Sequence, residues 1–275
     1  MMGIPLETTE AMVVFLLVFF RITGVMLSAP LFSNRSFPVS VRMWFAVVLA
    51  MLMFPLVWGR TVEGGLESLL DSEVAATLVV MSELAIGWTI GWIASVMVFA
   101  MQLAGHVLGQ EIGFSIGEVF DPVSEGQSAI TTQLFFTLAL VLFVVLDGPD
   151  LIVHAVNRSF VVMPPGGVIA SIGLAPASSI FDAGLLVKDA GSDFFTNGVT
   201  LALPGMVGLM LATAAMAILA RAVPEMNVFI LGFTIRILLG LFTTWLVLPF
   251  IADVFAGYLE VTQLMLEDLF LVWKG

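Results

Sequence analysis

Three charged side chains stand inside stretches of sequence that are otherwise apolar: Arg21, Glu83 and Arg236. A charge at the centre of a membrane costs about 2.5–3.5 kcal/mol on insertion scales, so such groups turn inward toward one another, toward polar neighbours or toward water. Two arginines and one glutamate predict an interhelical ion pair, Glu83 with Arg21 or with Arg236, that fixes helix packing. Contact with a passing substrate is the sharper alternative. Arginine does not titrate at physiological pH, so the set does not make a proton relay. Other reactive chemistry is thin. There are no cysteines, and the two histidines, His106 and His154, lie far apart and outside any HExxH motif. Thiol nucleophiles, zinc thiolates and disulfides are excluded, and no serine–histidine pair is recognisable. The sequence therefore assigns no catalytic residue, no metal ligand and no cofactor, and the expected protein is not an enzyme.

A second set of residues concerns packing. Gln102, His106 and Gln110 are four apart, and so are Gly87, Gly91 and Ser95, and again Gly105, Gly109 and Gly113. Residues four apart share a helix face. The glycines make smooth strips on which another helix can approach closely. The Gln-His-Gln strip predicts a face that meets water or polar groups, as at a pore or a subunit seam. His106 reads first as a packing residue with its hydrogen bonds satisfied, and only second as a ligand.

The segment after these strips is unusual. Gly113-Phe114-Ser115-Ile116-Gly117-Glu118-Val119-Phe120-Asp121-Pro122 combines backbone freedom at its glycines with a helix stop at Asp121-Pro122. Phe114, Ile116, Val119 and Phe120 are apolar groups in a loop, where side chains are normally polar, so they need something to bury against. A re-entrant loop inside protein or along a water-filled cavity satisfies that need; simple packing against neighbours is the plainer reading.

The elements that must position these residues follow from composition. Of 275 residues, 60% are hydrophobic and 11% charged, with a mean hydropathy of +1.12. A soluble domain carries about 25% charged residues, so lipid or other hydrophobic subunits must cover much of this surface. Apolar runs near 20 residues, the length that crosses a bilayer, occur at 11–29, 41–58, 78–104, 129–146, 199–220 and 228–251. The expected fold is an all-α integral membrane protein, one membrane domain over 1–275, with about six hydrophobic helices in hairpins. Residues 147–198 make a long connection with partial or amphipathic helices. In the tail, 253–274, Asp253, Glu260 and Glu267 share one helix face and predict an amphipathic helix, packed at an interface or offering an acidic docking face. Glu7 and Glu10 stand where a secretory signal would be basic, so the first run reads as a retained helix. The formal charge of −12 argues against nucleic acid. Alternating loops carry Arg35, Arg42 and Arg221 on one side and Arg60, Arg158, Lys188 and Lys274 on the other, which assigns no orientation.

Three segments carry a resemblance to a known family. They are Arg21-Ile22-Thr23-Gly24 with Ala29 to Ser33 and Arg35 to Pro38; Gly109 to Ser115 with Phe120-Asp121-Pro122; and Ala220-Arg221-Ala222-Val223-Pro224-Glu225-Met226-Asn227 continuing to Gly232-Phe233. In order, spacing and context they resemble the FliR family, whose virulence-system counterpart is SctT. The family motif places Arg221, Pro224 and Asn227 together. One departure is visible: the family often has a Gly-His pair after the fourth run, and this chain has Asp147-Gly148-Pro149-Asp150, so no role of that histidine carries over. Ser159-Phe160 and Pro164-Pro165-Gly166 fit the pattern.

The resemblance implies a subunit of the flagellar type III export gate in the bacterial inner membrane, within the flagellar basal body. It implies FliP-like, FliQ-like and FlhB-like partners, unfolded exported proteins as cargo, and a channel closed from within by the loop at Gly113 to Pro122. A ring of apolar side chains in a constriction blocks water and ions by dewetting. The alternatives are an SctT-type subunit of a virulence secretion system, or a small-solute transporter. Transporters of that kind tend to show internal repeats with midplane ion sites, and no convincing repeat relates the halves of this chain.

Overall fold

The computed structural model describes residues 6–32, 38–58, 73–113, 130–167, 177–223 and 228–274. Every regular element among them is an α-helix: α1 Leu6–Ser28, α2 Val39–Trp58, α3 Glu73–Ile112, α4 Ile130–Val145, α5 Gly148–Val162, α6 Ala177–Ala222 and α7 Val228–Lys274. In lipid each backbone N–H and C=O must find its partner within the protein, which a helix achieves locally. Five of the helices are long and apolar enough to cross a membrane, and α4 with α5 would make a sixth span if counted together.

The helices run further than the apolar stretches alone predict. The third run continues to Ile112 because Ala104, Leu108 and Ile112 keep a buried face while the polar residues point elsewhere. The fifth run reaches back to Ala177, taking in the second half of the expected connection. The sixth run and the acidic tail are one helix, since nothing between Ile251 and Asp253 breaks it and Asp253 lies on an exposed face. Pro55, Pro204 and Pro249 lie inside helices, each removing one backbone donor without ending the element. The α4–α5 break falls at Asp147, which holds a left-handed φ of 58° just before Gly148-Pro149.

The chain forms two compact units. The first comprises Met1–Ser95, Asp147–Ala190 and Val261–Gly275. Here α1 and α2 form an antiparallel hairpin, tied by ring contacts of Phe15 with Phe54 at 6.0 Å and of Phe32 with Phe45 at 5.4 Å. Val18, Ile22 and Val25 of α1, Ala46 and Ala50 of α2, and Phe160 of α5 are buried. The second unit comprises Val96–Leu146 and Gly191–Glu260. Its buried residues include Met101 and Ile112 of α3, Phe135 and Phe143 of α4, Leu209 of α6 and Phe255 of α7.

Burial is uneven among the long helices. In their apolar windows 67% of residues are buried in α3 but only 17% in α2 and 17% in α7. Trp44, Leu52, Trp245 and Phe250 are among the large side chains left outward. Patches of that kind mark contact with lipid or with other proteins.

Candidate functional site

The first unit contains a fully buried ion pair. Arg21 of α1 donates from Nε to Glu83 Oε2 of α3 at 2.5 Å, and both side chains have 0% exposure. Arg21 Nη1 donates to Ser159 Oγ at 3.1 Å and to the Met163 carbonyl at 3.0 Å. Ser159 Oγ in turn donates to the Val156 carbonyl. The other carboxylate oxygen, Glu83 Oε1, accepts the Gly166 backbone N–H at 2.9 Å. The Phe160 ring sits with its centroid 4.2 Å from Arg21 Cζ, within cation–π range. Within this cluster, Arg21 Nη2 has no hydrogen-bond partner.

The physics of this cluster is one of compensation. Removing a carboxylate and a guanidinium from water costs several kcal/mol each, repaid only when geometry is good and further hydrogen bonds fill the remaining valences. Three such bonds reach the pair from α5 and the turn that follows it. That turn, Pro164-Pro165-Gly166-Gly167, needs its glycine: Gly166 holds φ at 78°, which presents its N–H to Glu83. The cluster thus pins three separate parts of the chain together. Its one hydroxyl, Ser159 Oγ, is engaged by Arg21 and by the Val156 carbonyl, and its arginine cannot act as a base.

Positioning comes from a glycine seam between α1 and α3. A Cβ at Gly24 would collide with the Leu84 carbonyl and the Trp88 nitrogen; at Gly87, with the Arg21 carbonyl; at Gly91, with Ser28 Oγ and the Val25 carbonyl. The helices therefore touch backbone to backbone, and Ser28 Oγ donates across the seam to the Trp88 carbonyl at 2.8 Å. Arg21 lies beside Gly87, so the same close approach brings the guanidinium to Glu83.

The remaining sequence-predicted residues are placed as follows. In the second unit, Gly105 is packed against Thr131, Thr132 and Phe135 of α4, and Gly109 is buried. Gln102 is half-buried, while His106 and Gln110 are exposed and bonded to each other at 3.1 Å. Arg236 is half-buried, not sealed in, and donates to Thr213 Oγ1 at 3.0 Å; the partner of Glu83 is Arg21. Arg221 is exposed near the end of α6. Gly113 is buried with φ 98°, a conformation that suits glycine and ends α3. Phe114, Ile116, Gly117, Val119, Phe120, Asp121 and Pro122 lie outside the described residues, as do Pro224 and Asn227. Among the described residues no group of three or more acidic, histidine or cysteine side chains is placed to hold a metal ion.

Sequence reasoning missed Ser159, Phe160, Met163 and Gly166 as partners of the pair. The hydroxyl and the Pro-Pro-Gly-Gly turn were visible, but 138 positions separate Arg21 from Ser159, and no periodicity spans that distance.

The family model described as bacterial export proteins, family 1, matches residues 12–261. The flagellar biosynthetic protein FliR of Pectobacterium carotovorum subsp. carotovorum is 27% identical over 253 residues, covering 91% of this chain and 90% of its own. The flagellar biosynthetic protein FliR of Escherichia coli (strain K12) is 27% identical over 232 residues, with coverage of 84% and 83%. The secretion system apparatus protein SsaT of Salmonella typhimurium is 21% identical over 158 residues, covering 57% of each chain.

Proposed function

The chain belongs to family 1 of the bacterial export proteins, the family of the FliR proteins, and from that premise we propose that it is a non-enzymatic core subunit of the flagellar export gate. In this reading it sits in the inner membrane with FliP-like and FliQ-like subunits and a FlhB-like subunit. It helps to form the channel through which unfolded flagellar proteins leave the cell, and the apolar loop after Gly113 closes that channel. The flagellar form is preferred to the virulence form because similarity to the FliR proteins of Pectobacterium carotovorum and Escherichia coli runs along more than four-fifths of both chains, against 57% for SsaT.

The observation that supports a subunit over a self-contained transporter is the poor coverage of α2 and α7. With only 17% of each apolar window buried, these helices offer long hydrophobic faces for neighbours. A rigid seam in the first unit, sealed by an ion pair that no solvent reaches, suits a fixed scaffold.

Co-purification tests the reading. The tagged chain, solubilised from its own host, should bring two other hydrophobic proteins with it in a single large complex. A stable monomer that moves a small solute would overturn it.

A further inference from the structure

In the second unit the last turn of α3 ends in a knob. Ile112 is fully buried, and its Cγ1 and Cδ1 stand where a Cβ would have to go at Gly240 of α7. Gly240 is itself buried in a helix interior, where glycine weakens the element. The knob it admits accounts for its presence there. The floor of this notch is fastened, because the Gly240 carbonyl accepts Thr243 Oγ1 at 3.0 Å and Thr244 Oγ1 at 2.7 Å. One turn earlier Leu108, also buried, lies against Gly205 of α6. The end of α3 is thus held by glycine notches in both α6 and α7.

The two contacts differ in stiffness. Leu108 meets Gly205 most closely with its Cδ2, the tip of a flexible side chain. Ile112 meets Gly240 with Cγ1 as well as Cδ1, and a β-branched side chain in a helix has one strongly preferred χ1 rotamer. Ile112 cannot turn aside, so it sets where the end of α3 stands on α7. The next residue, Gly113, is buried with φ 98°, and its N–H is shared between the carbonyls of Gly109 at 3.2 Å and Gln110 at 3.1 Å. The chain therefore leaves the helix directly after the residue that is held.

We propose that Ile112 is a positioning residue for closure of the channel: seated at Gly240, it fixes the point from which the apolar segment after Gly113 departs. The inference rests on the reading that this segment closes the export channel. A residue that only filled the core would govern stability; Ile112 governs permeability as well.

Cysteine chemistry tests this in the full chain, assembled in its own membrane. The chain has no cysteine, so an introduced pair reacts alone. A Cβ at position 240 would lie 3.4 Å from Ile112 Cβ, beside the roughly 3.5–4.5 Å that a disulfide spans. The I112C/G240C variant removes the knob, and oxidation ties the end of α3 back to α7. In its reduced form it should leak small ions several-fold faster than the wild type. Oxidation should return the leak to the wild-type rate, whereas the wild type should respond to neither reagent. I112A should leak in both conditions, and G205A, which meets chiefly the tip of Leu108, should stay tight.

Failure of the pair to cross-link, or a leak that the cross-link does not reverse, would overturn the proposal. So would tight complexes of I112A and of reduced I112C/G240C beside leaking F114A/F120A, a result that leaves closure itself standing. If F114A/F120A is tight too, closure is refuted and the positioning role falls with it. Should I112A fail to accumulate, the cysteine pair decides alone, since one and the same protein is read in two redox states.

Discussion

Arg21 and Glu83, 62 positions apart in sequence, meet side chain to side chain with neither reached by solvent. Around them the Ser159 hydroxyl, the Met163 carbonyl and the Gly166 amide complete most of the available hydrogen bonds. The arrangement makes the α1–α3 seam and the turn after α5 a single mechanical object.

Breaking that pair on one side should be costly. Glu83→Ala strands a buried guanidinium and should destabilise the chain by about 3–5 kcal/mol, read as a lower melting temperature of the purified protein. Replacing both partners, as in R21M/E83L, should recover most of the loss, because apolar side chains of similar volume remove both desolvation penalties. Equal damage in the single and double variants would mean that something other than the uncompensated charge is responsible.

The two arginines found within apolar runs should differ sharply. Arg236 is half-buried with a threonine as partner, so Arg236→Ala should shift stability by no more than about 0.5 kcal/mol, as for substitutions away from buried networks. Arg21→Ala leaves a buried carboxylate and should behave like Glu83→Ala. Similar melting temperatures for R21A and R236A would refute the distinction.

A methyl group tests the seam. Gly87→Ala places a Cβ against the Arg21 carbonyl, where backbone cannot yield cheaply, and overpacking of this kind costs about 1–3 kcal/mol. Gly257→Ala meets nothing within 4 Å on α7 and should stabilise by about 0.5–1 kcal/mol, the helix-propensity gain of alanine over glycine. Thermal melts of the two variants should move in opposite directions.

How much of this was legible in the sequence depends on the range over which each constraint acts. The helices were readable because a bilayer imposes length and apolarity locally. The seam was readable at Gly87 and Gly91 because four-residue spacing places them on one face. The ion pair was readable only in kind: two candidates existed for Glu83, and the register of α1 on α3 that selects Arg21 is a tertiary property. The contribution of Ser159 and Gly166 depends on how α5 returns to the seam, which no local pattern encodes. Apolar runs stop short of the helices that contain them where polar residues continue a helix: the strips from Gly105 to Gln110 carry the third helix on by their four-residue spacing, whereas the continuity of the last helix across Asp253 is not legible, because an exposed polar face weakens the apolar signal without breaking the backbone.

The loop after Gly113 yields a prediction drawn from its side chains. Replacing Phe114 and Phe120 with alanine removes two large apolar groups from the proposed closure, so assembled complexes should leak small ions, seen as faster dissipation of an ion gradient in cells or vesicles. Unchanged permeability in a complex of normal composition would refute closure by these residues.

Secretion is the measurement that bears most directly on the central claim. In the host deprived of this chain, flagellar subunits should accumulate in the cytoplasm and be absent from the medium. Restoring the wild-type chain should return them to the medium. Continued secretion without the chain would contradict its assignment to the export gate.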